Sequence, residues 1–132
     1  MTPPRRGLAS TVLIVEDDRD VRLALAEVLA EEGYRIALAE HGFDALCQLR
    51  FGMPPGVILL DLMMPVMDGW EFLAEQRAKP ALASIPVVVL TAAGNARGLG
   101  ASPQVVARLR KPVDIGALLD AVASACARQR MS

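Results

Sequence analysis

Three short aliphatic runs constrain this chain most: Val12-Leu13-Ile14-Val15, Val57-Ile58-Leu59-Leu60 and Val87-Val88-Val89-Leu90. Each is far shorter than the ~20 apolar residues a membrane span needs. Segments with apolar residues at helical spacing lie between them. That alternation of strand and helix argues for an α/β fold, a doubly wound parallel sheet with helices on both faces. Apolar residues make up 53% of the sequence, which suits a sheet covered on both sides. Polar residues mark where the runs end. Val15 is followed by Glu16-Asp17-Asp18, Leu60 by Asp61 and Leu90 by Thr91-Ala92, while Leu109-Arg110 leads into Lys111-Pro112. Burying charge among aliphatic side chains is costly, so Asp61 belongs at a strand's mouth, not inside the core.

The first strand is expected over 11–15. A helix over 19–32 follows, with Val21, Leu25, Val28 and Leu29 at helical spacing and Gly33 as its stop. A second strand over 34–39 leads through His41-Gly42 into a helix over 43–51. Met53-Pro54-Pro55-Gly56 breaks the chain before the third strand. Asp68-Gly69 signals a turn and the start of a helix over 69–79, and a fourth strand spans 85–90. The last helix, over 114–128, carries Ile115, Leu118, Leu119, Val122 and Cys126 on one stripe, with Asp114 as N-cap and arginines in its final turn. Between Thr91 and Lys111, Gly94, Gly98 and Gly100 weaken any helix. Ser102-Pro103 opens a short helix or only a turn, so a truncated or mobile fourth helix is expected there.

A chain of 132 residues has room for one domain, which the pattern places over 11–129, with loose tails at 1–10 and 130–132. Fourteen basic and fifteen acidic side chains leave a formal charge of -1, so no basic field advertises nucleic acid as a partner. Cys47 and Cys126 lack metal-ligand spacing and suggest a reducing compartment, with Cys126 a small buried hydrophobe. The segment around Pro3-Pro4-Arg5-Arg6 has no apolar core of the kind a secretory leader carries. A cytoplasmic protein with no membrane partner is the expectation.

Ligands of an open parallel sheet bind beyond the carboxyl ends of the strands, where Glu16, Asp17, Asp61, Thr91 and Lys111 would meet. Acids gathered there repel one another unless a cation neutralises them, and Mg²⁺ suits hard oxygen ligands that leave room for phosphate. Asp17 and Asp61 are the expected direct ligands, with Glu16 acting through water and the backbone carbonyl of Met63 completing the shell. Asp18 and Asp20 read instead as acids capping the first helix. Asp61 is the candidate nucleophile, since carboxylates can attack phosphorus. Lys111 and the Thr91 hydroxyl would meet the phosphoryl oxygens, and Ala92 is small enough to admit a donor. Met63, Met64 and Met67 read as packing beside the core rather than a copper site, and Trp70 likewise packs. His41 is expected to face solvent without a catalytic role.

The ordered set Val15-Glu16-Asp17-Asp18, Leu60-Asp61-Leu62-Met63-Met64-Pro65-Val66-Met67-Asp68-Gly69, Leu90-Thr91-Ala92 and Lys111-Pro112 resembles the receiver domains of response regulators in two-component signalling. The resemblance implies a five-stranded sheet in the flavodoxin-like order 2-1-3-4-5 with about five helices. It implies that Asp61 is the phospho-acceptor, that Glu16 and Asp17 form the acidic pocket, and that Thr91 and Lys111 are the signalling hydroxyl and lysine. The donor would be a phosphohistidine on a sensor histidine kinase or a histidine phosphotransfer protein, and the effector a separate chain. Such a domain assists its own phosphoryl transfer and slow dephosphorylation without being a turnover enzyme. Arg108 stands where members carry an aromatic residue, three positions before the lysine, and the 91–111 stretch is short and glycine-rich. A loop that reorders on phosphorylation is therefore expected in place of the usual threonine–aromatic switch.

Other functions stand beside this one. A receiver-like adaptor would dock a partner without phosphorylation. An aspartate-nucleophile phosphatase of the haloacid dehalogenase type wants a second acid two residues after the nucleophile, where this chain has Met63. A flavodoxin-like flavin binder wants a phosphate loop where Glu16-Asp17-Asp18 would repel phosphate.

Overall fold

A computed structural model describes residues 10–52, 54–92 and 102–131. In chain order the elements are β1 (Thr11–Val15), α1 (Arg19–Glu31), β2 (Arg35–Ala39), α2 (Gly42–Phe51), β3 (Val57–Asp61), α3 (Gly69–Ala78), β4 (Val87–Thr91), β5 (Val105–Arg110) and α4 (Ile115–Met131). All the strand pairs are parallel, and the sheet runs β2-β1-β3-β4-β5. This is the doubly wound, flavodoxin-like order implied by the motif set.

Successive residues of a strand point to opposite faces, so an unbroken aliphatic run feeds two cores at once. Leu13, Val15, Ile58, Leu60, Val87 and Val89 pack with Ala45 and Leu49 of α2 and Phe72 and Leu73 of α3. Their neighbours Val12, Ile14, Val57, Leu59, Val88 and Leu90 pack with Leu25 and Leu29 of α1 and Leu118, Val122, Ala125 and Cys126 of α4. Each fully buried aliphatic side chain contributes roughly 1.5–3 kcal/mol relative to exposure. The sheet is thereby fixed between two helical layers, and polar side chains are left to its ends.

Local signals set the helix boundaries. Asp18 caps α1 by accepting the Val21 N–H, and Gly33 takes the left-handed turn that ends the segment, at φ 98°. Asp68 and Glu71 form a reciprocal capping box at α3, and Asp114 accepts the Ala117 N–H at 2.8 Å ahead of α4. His41 is half-buried rather than solvent-facing, and its Nδ1 accepts the Asp44 N–H as the cap of α2. Cys126 is buried as expected.

Two element bounds shift by more than one residue, and one of two open alternatives is decided. β4 begins at Val87 rather than 85, because the Ile85 N–H is drawn back to the Leu82 carbonyl and Pro86 has no N–H to give. α4 continues beyond 128 to Met131. Ser102-Pro103 makes a turn, with the Val105 N–H donating to the Ser102 carbonyl, and β5 starts directly after it. Four helices are present among the described residues. The expected short helix between β4 and β5 falls at 93–101, outside them.

Gly69 opens α3 where the helix crosses the end of β3. A Cβ there would stand 2.7 Å from Leu62 Cα and 3.1 Å from the Asp61 carbonyl oxygen. Those are backbone atoms and cannot turn aside as a side-chain tip can. Gly69→Ala is expected to cost about 1–3 kcal/mol, read by urea denaturation. Parental stability in that variant would show that the α3 start yields freely.

Candidate functional site

Parallel pairing brings the strand ends to one rim. Val15 pairs with Leu60, Asp61 with Leu90, and Thr91 with Arg110. The chain then turns away from the sheet at Glu16, Leu62, Ala92 and Lys111. The Lys111 N–H donates to the Thr91 carbonyl at 2.9 Å, which seats the lysine beside β4, and the Lys111–Pro112 peptide is cis.

At that rim Glu16, Asp17 and Asp61 each offer a carboxylate oxygen, and these lie within 4.8 Å of one another. Glu16 is wholly buried, Asp61 is 3% exposed, and Asp17 opens to solvent. The Lys111 ammonium reaches Glu16 Oε1 at 3.0 Å and Asp61 Oδ1 at 3.5 Å. The second Glu16 oxygen accepts the Asp18 N–H at 3.1 Å, so both oxygens of this carboxylate already hold a protein donor. Met63 meets the site through its backbone, its N–H donating to Asp61 Oδ1 at 3.2 Å, while its side chain is half exposed.

Burial, first, and then the neighbouring Glu16 charge push the Asp61 carboxyl up to about 7, although Lys111 and the Met63 N–H pull the other way. Lys111 is raised as well. Burial works against its charge, but the hydrogen bond to Glu16 and the charges of Asp61 and Glu16 outweigh that effect. An acid so reluctant to ionise marks a pocket with a deficit of positive charge. Three carboxylates, two of them buried, form a hard oxygen donor set that fits Mg²⁺.

Thr91 is 7% exposed at the end of β4, and its hydroxyl donates to the Ala92 carbonyl at 2.9 Å. The structure thus gathers Glu16, Asp17, Asp61 and Lys111, with Met63 bonded through its N–H and Thr91 one residue beyond the Leu90 partner of Asp61. Met64 is buried, Met67 and Trp70 pack against the α2–α3 core, and Arg108 is exposed on β5. Val66, in the loop after Asp61, takes φ 68°, a strained conformation for a β-branched residue.

Two features escape a reading of the sequence. Arg22 is 9% exposed, and its Nη1 donates to the carbonyls of Glu16 at 2.8 Å and Asp17 at 3.4 Å. Gln76 and Gln104 form a buried pair that ties α3 to the Leu82 and Ile85 carbonyls and to the start of β5. Position on a helix could have hinted at Arg22, four residues after its Asp18 cap. Nothing local marks the glutamines.

Comparison with known proteins agrees with this geometry. The family model described as response regulator receiver domain matches residues 12–123. The Bacillus subtilis sporulation initiation phosphotransferase F is 36% identical over 113 residues, covering 84% of this chain and 89% of that protein. The probable transcriptional regulator ycf29 of Pyropia yezoensis is 33% identical over 119 residues, covering 89% of this chain and 53% of that protein. The chain thus spans about half the length of the latter relative. A CheY-like receiver domain protein from Methanospirillum hungatei JF-1 superposes with a TM-score of 0.82 at 33% identity, over 92% of this chain and 98% of that one. With an acid-lined rim on a 2-1-3-4-5 sheet and a family match over most of its length, the chain belongs to the response regulator receiver domains of two-component signalling.

Proposed function

We propose that Asp61 accepts a phosphoryl group from a phosphohistidine on a sensor kinase or histidine phosphotransfer protein, and that the modified domain signals to a partner protein. The convergence of Lys111 with Glu16 and Asp61 at 3.0 and 3.5 Å, beside the open Asp17, carries this reading. In the transfer an Asp61 oxygen bonds to phosphorus as the phosphorus–nitrogen bond of the donor breaks. The imidazole keeps the electron pair and takes a proton, and Asp61 becomes a mixed anhydride.

Asp17 and Asp61 would hold Mg²⁺ directly, and Glu16, with both oxygens already engaged, would act through water. A bound Mg²⁺ supplies positive charge that favours the ionised carboxylate and offsets charge on the phosphoryl oxygens. Lys111 meets a phosphoryl oxygen with its ammonium. The Thr91 hydroxyl, turning away from the Ala92 carbonyl, would meet another and carry the change into the residues that follow β4. Met63 holds one Asp61 oxygen through its N–H and leaves the other to attack. No acid stands two residues after Asp61 to drive rapid hydrolysis, so the domain accepts a phosphoryl group and releases it slowly, without acting as a turnover enzyme.

Incubation with acetyl phosphate and Mg²⁺ tests the proposal. One phosphoryl group per chain is expected by mass spectrometry, labile to hydroxylamine and not formed when Mg²⁺ is chelated beforehand. An unlabelled chain would favour a docking module, and repeated turnover of phosphate esters a phosphatase.

A further inference from the structure

The turn between β1 and α1 has to hold two consecutive acids in fixed directions within very few residues. Glu16 is wholly buried, so a carbonyl left there without a donor costs roughly 1–3 kcal/mol. Among the described residues, no backbone N–H of a neighbouring strand fills that need. Arg22 does, folding back from the first turns of α1 to donate to the Glu16 carbonyl and more distantly to that of Asp17. The same turn is tied from its other side. The Arg22 N–H donates to the Asp18 carbonyl at 2.9 Å, and the Asp18 side chain accepts the Val21 N–H at 3.1 Å.

Arg22 and Lys111 use their charge differently. The lysine sits on carboxylate oxygens. The arginine forms no ion pair with a carboxylate among the described residues, and its bonds go to main-chain oxygens. It brings positive charge close to the acids without covering an oxygen that a cation would use. Its planar guanidinium presents several donors in a fixed fork, which suits a part with little exposure.

We propose that Arg22 is a positioning residue for the cation pocket. Its bonds to the Glu16 and Asp17 carbonyls set the directions in which those carboxylates leave the turn, and thereby set the affinity for a divalent cation. The proposal rests on the reading of that pocket given above. Residues that orient metal ligands typically change affinity by 10–100-fold when replaced.

Mg²⁺ binding measured by calorimetry on the full chain, with metal-free melting as a parallel readout, tests it. Arg22→Met keeps the apolar stem and removes the donors. It is expected to weaken Mg²⁺ binding by about 10-fold or more. Phosphoryl labelling should slow at limiting Mg²⁺ and recover at saturating Mg²⁺. Arg22→Gln, too short to reach the carbonyls, should weaken binding likewise and serves if the Met variant does not fold. Arg22→Lys, long enough to reach one carbonyl, should recover most of the affinity. An unaltered Mg²⁺ affinity in Arg22→Gln or a folded Arg22→Met, whatever the melting temperature, overturns the proposal. A parent chain that binds no Mg²⁺ and takes no label overturns the reading of the pocket itself. A parent that does both, beside variants of equal affinity, overturns the role of Arg22 alone.

Discussion

Asp61→Asn is expected to lose phosphoryl acceptance entirely and, without divalent cations, to melt higher than the parent at neutral pH, by on the order of 10 °C. Both effects have one cause. A carboxylate that can bond to phosphorus is held here against Glu16 in a nearly closed site, where its carboxyl is pushed up to about 7. In the unfolded chain the same group releases its proton near 3.8. Between those values the folded state holds more protons than the unfolded one, so stability falls as pH rises from about 4 to about 7 and levels off above. Asparagine keeps the shape and cannot ionise. The melting temperatures should therefore nearly coincide near pH 4, separate steadily as pH rises toward 7 and keep a constant gap above it, the difference corresponding to about 4 kcal/mol. Mg²⁺ should narrow the gap by stabilising the parent alone. Melting curves that run parallel across this pH range would sink the argument.

Lys111→Met should act in the opposite sense on stability and in the same sense on chemistry. The ammonium is the positive partner of two buried acids, and breaking such a pair by removing one member costs about 3–5 kcal/mol in the extreme. Here the lysine side chain is 29% exposed and Asp61 can protonate, so a loss of about 2 kcal/mol is the expectation. Without Lys111 the Asp61 carboxyl rises further, and fewer molecules carry a reactive carboxylate at neutral pH. The stability deficit should be larger at pH 8, where Asp61 is ionised, than at pH 6, where it is mostly protonated. Phosphoryl labelling should fall by at least about 10-fold, the usual scale for removing an electrostatic stabiliser of transfer. Urea titrations at the two pH values, with labelling rates on the same samples, check both parts. A deficit independent of pH would mean that the ammonium serves packing alone.

Most of the fold is written in patterns that need no tertiary context. β1, β3 and β4 are legible because an aliphatic run buried on both faces has little else to become, and α4 because its stripe and its Asp114 cap agree. β5 is harder. Val105–Arg110 puts Arg108 and Arg110 in an edge strand that is only half covered, so neither alternation nor apolar run announces it. The acids at the site are legible for the same reason as the strands, since a charge at the end of such a run has only the rim to occupy. Arg22 is not, because a buried arginine bonded to main-chain oxygens differs from a solvated one only once the turn is formed. Nor is the place of His41 legible, since nothing in the sequence distinguishes a solvent-facing histidine from one whose ring nitrogen caps α2. The direction of the Thr91 hydroxyl also lies beyond sequence, since it is one rotamer among several.

The two outer strands share a property of practical weight. β2 begins with exposed Arg35, and β5 ends with exposed Arg108 and Arg110. An open sheet margin invites another copy to add itself as a further strand, and an exposed arginine on β2 with two on β5 makes that approach repulsive. Concentrated solutions should consequently stay free of fibrils at low ionic strength and lose that protection as salt is added.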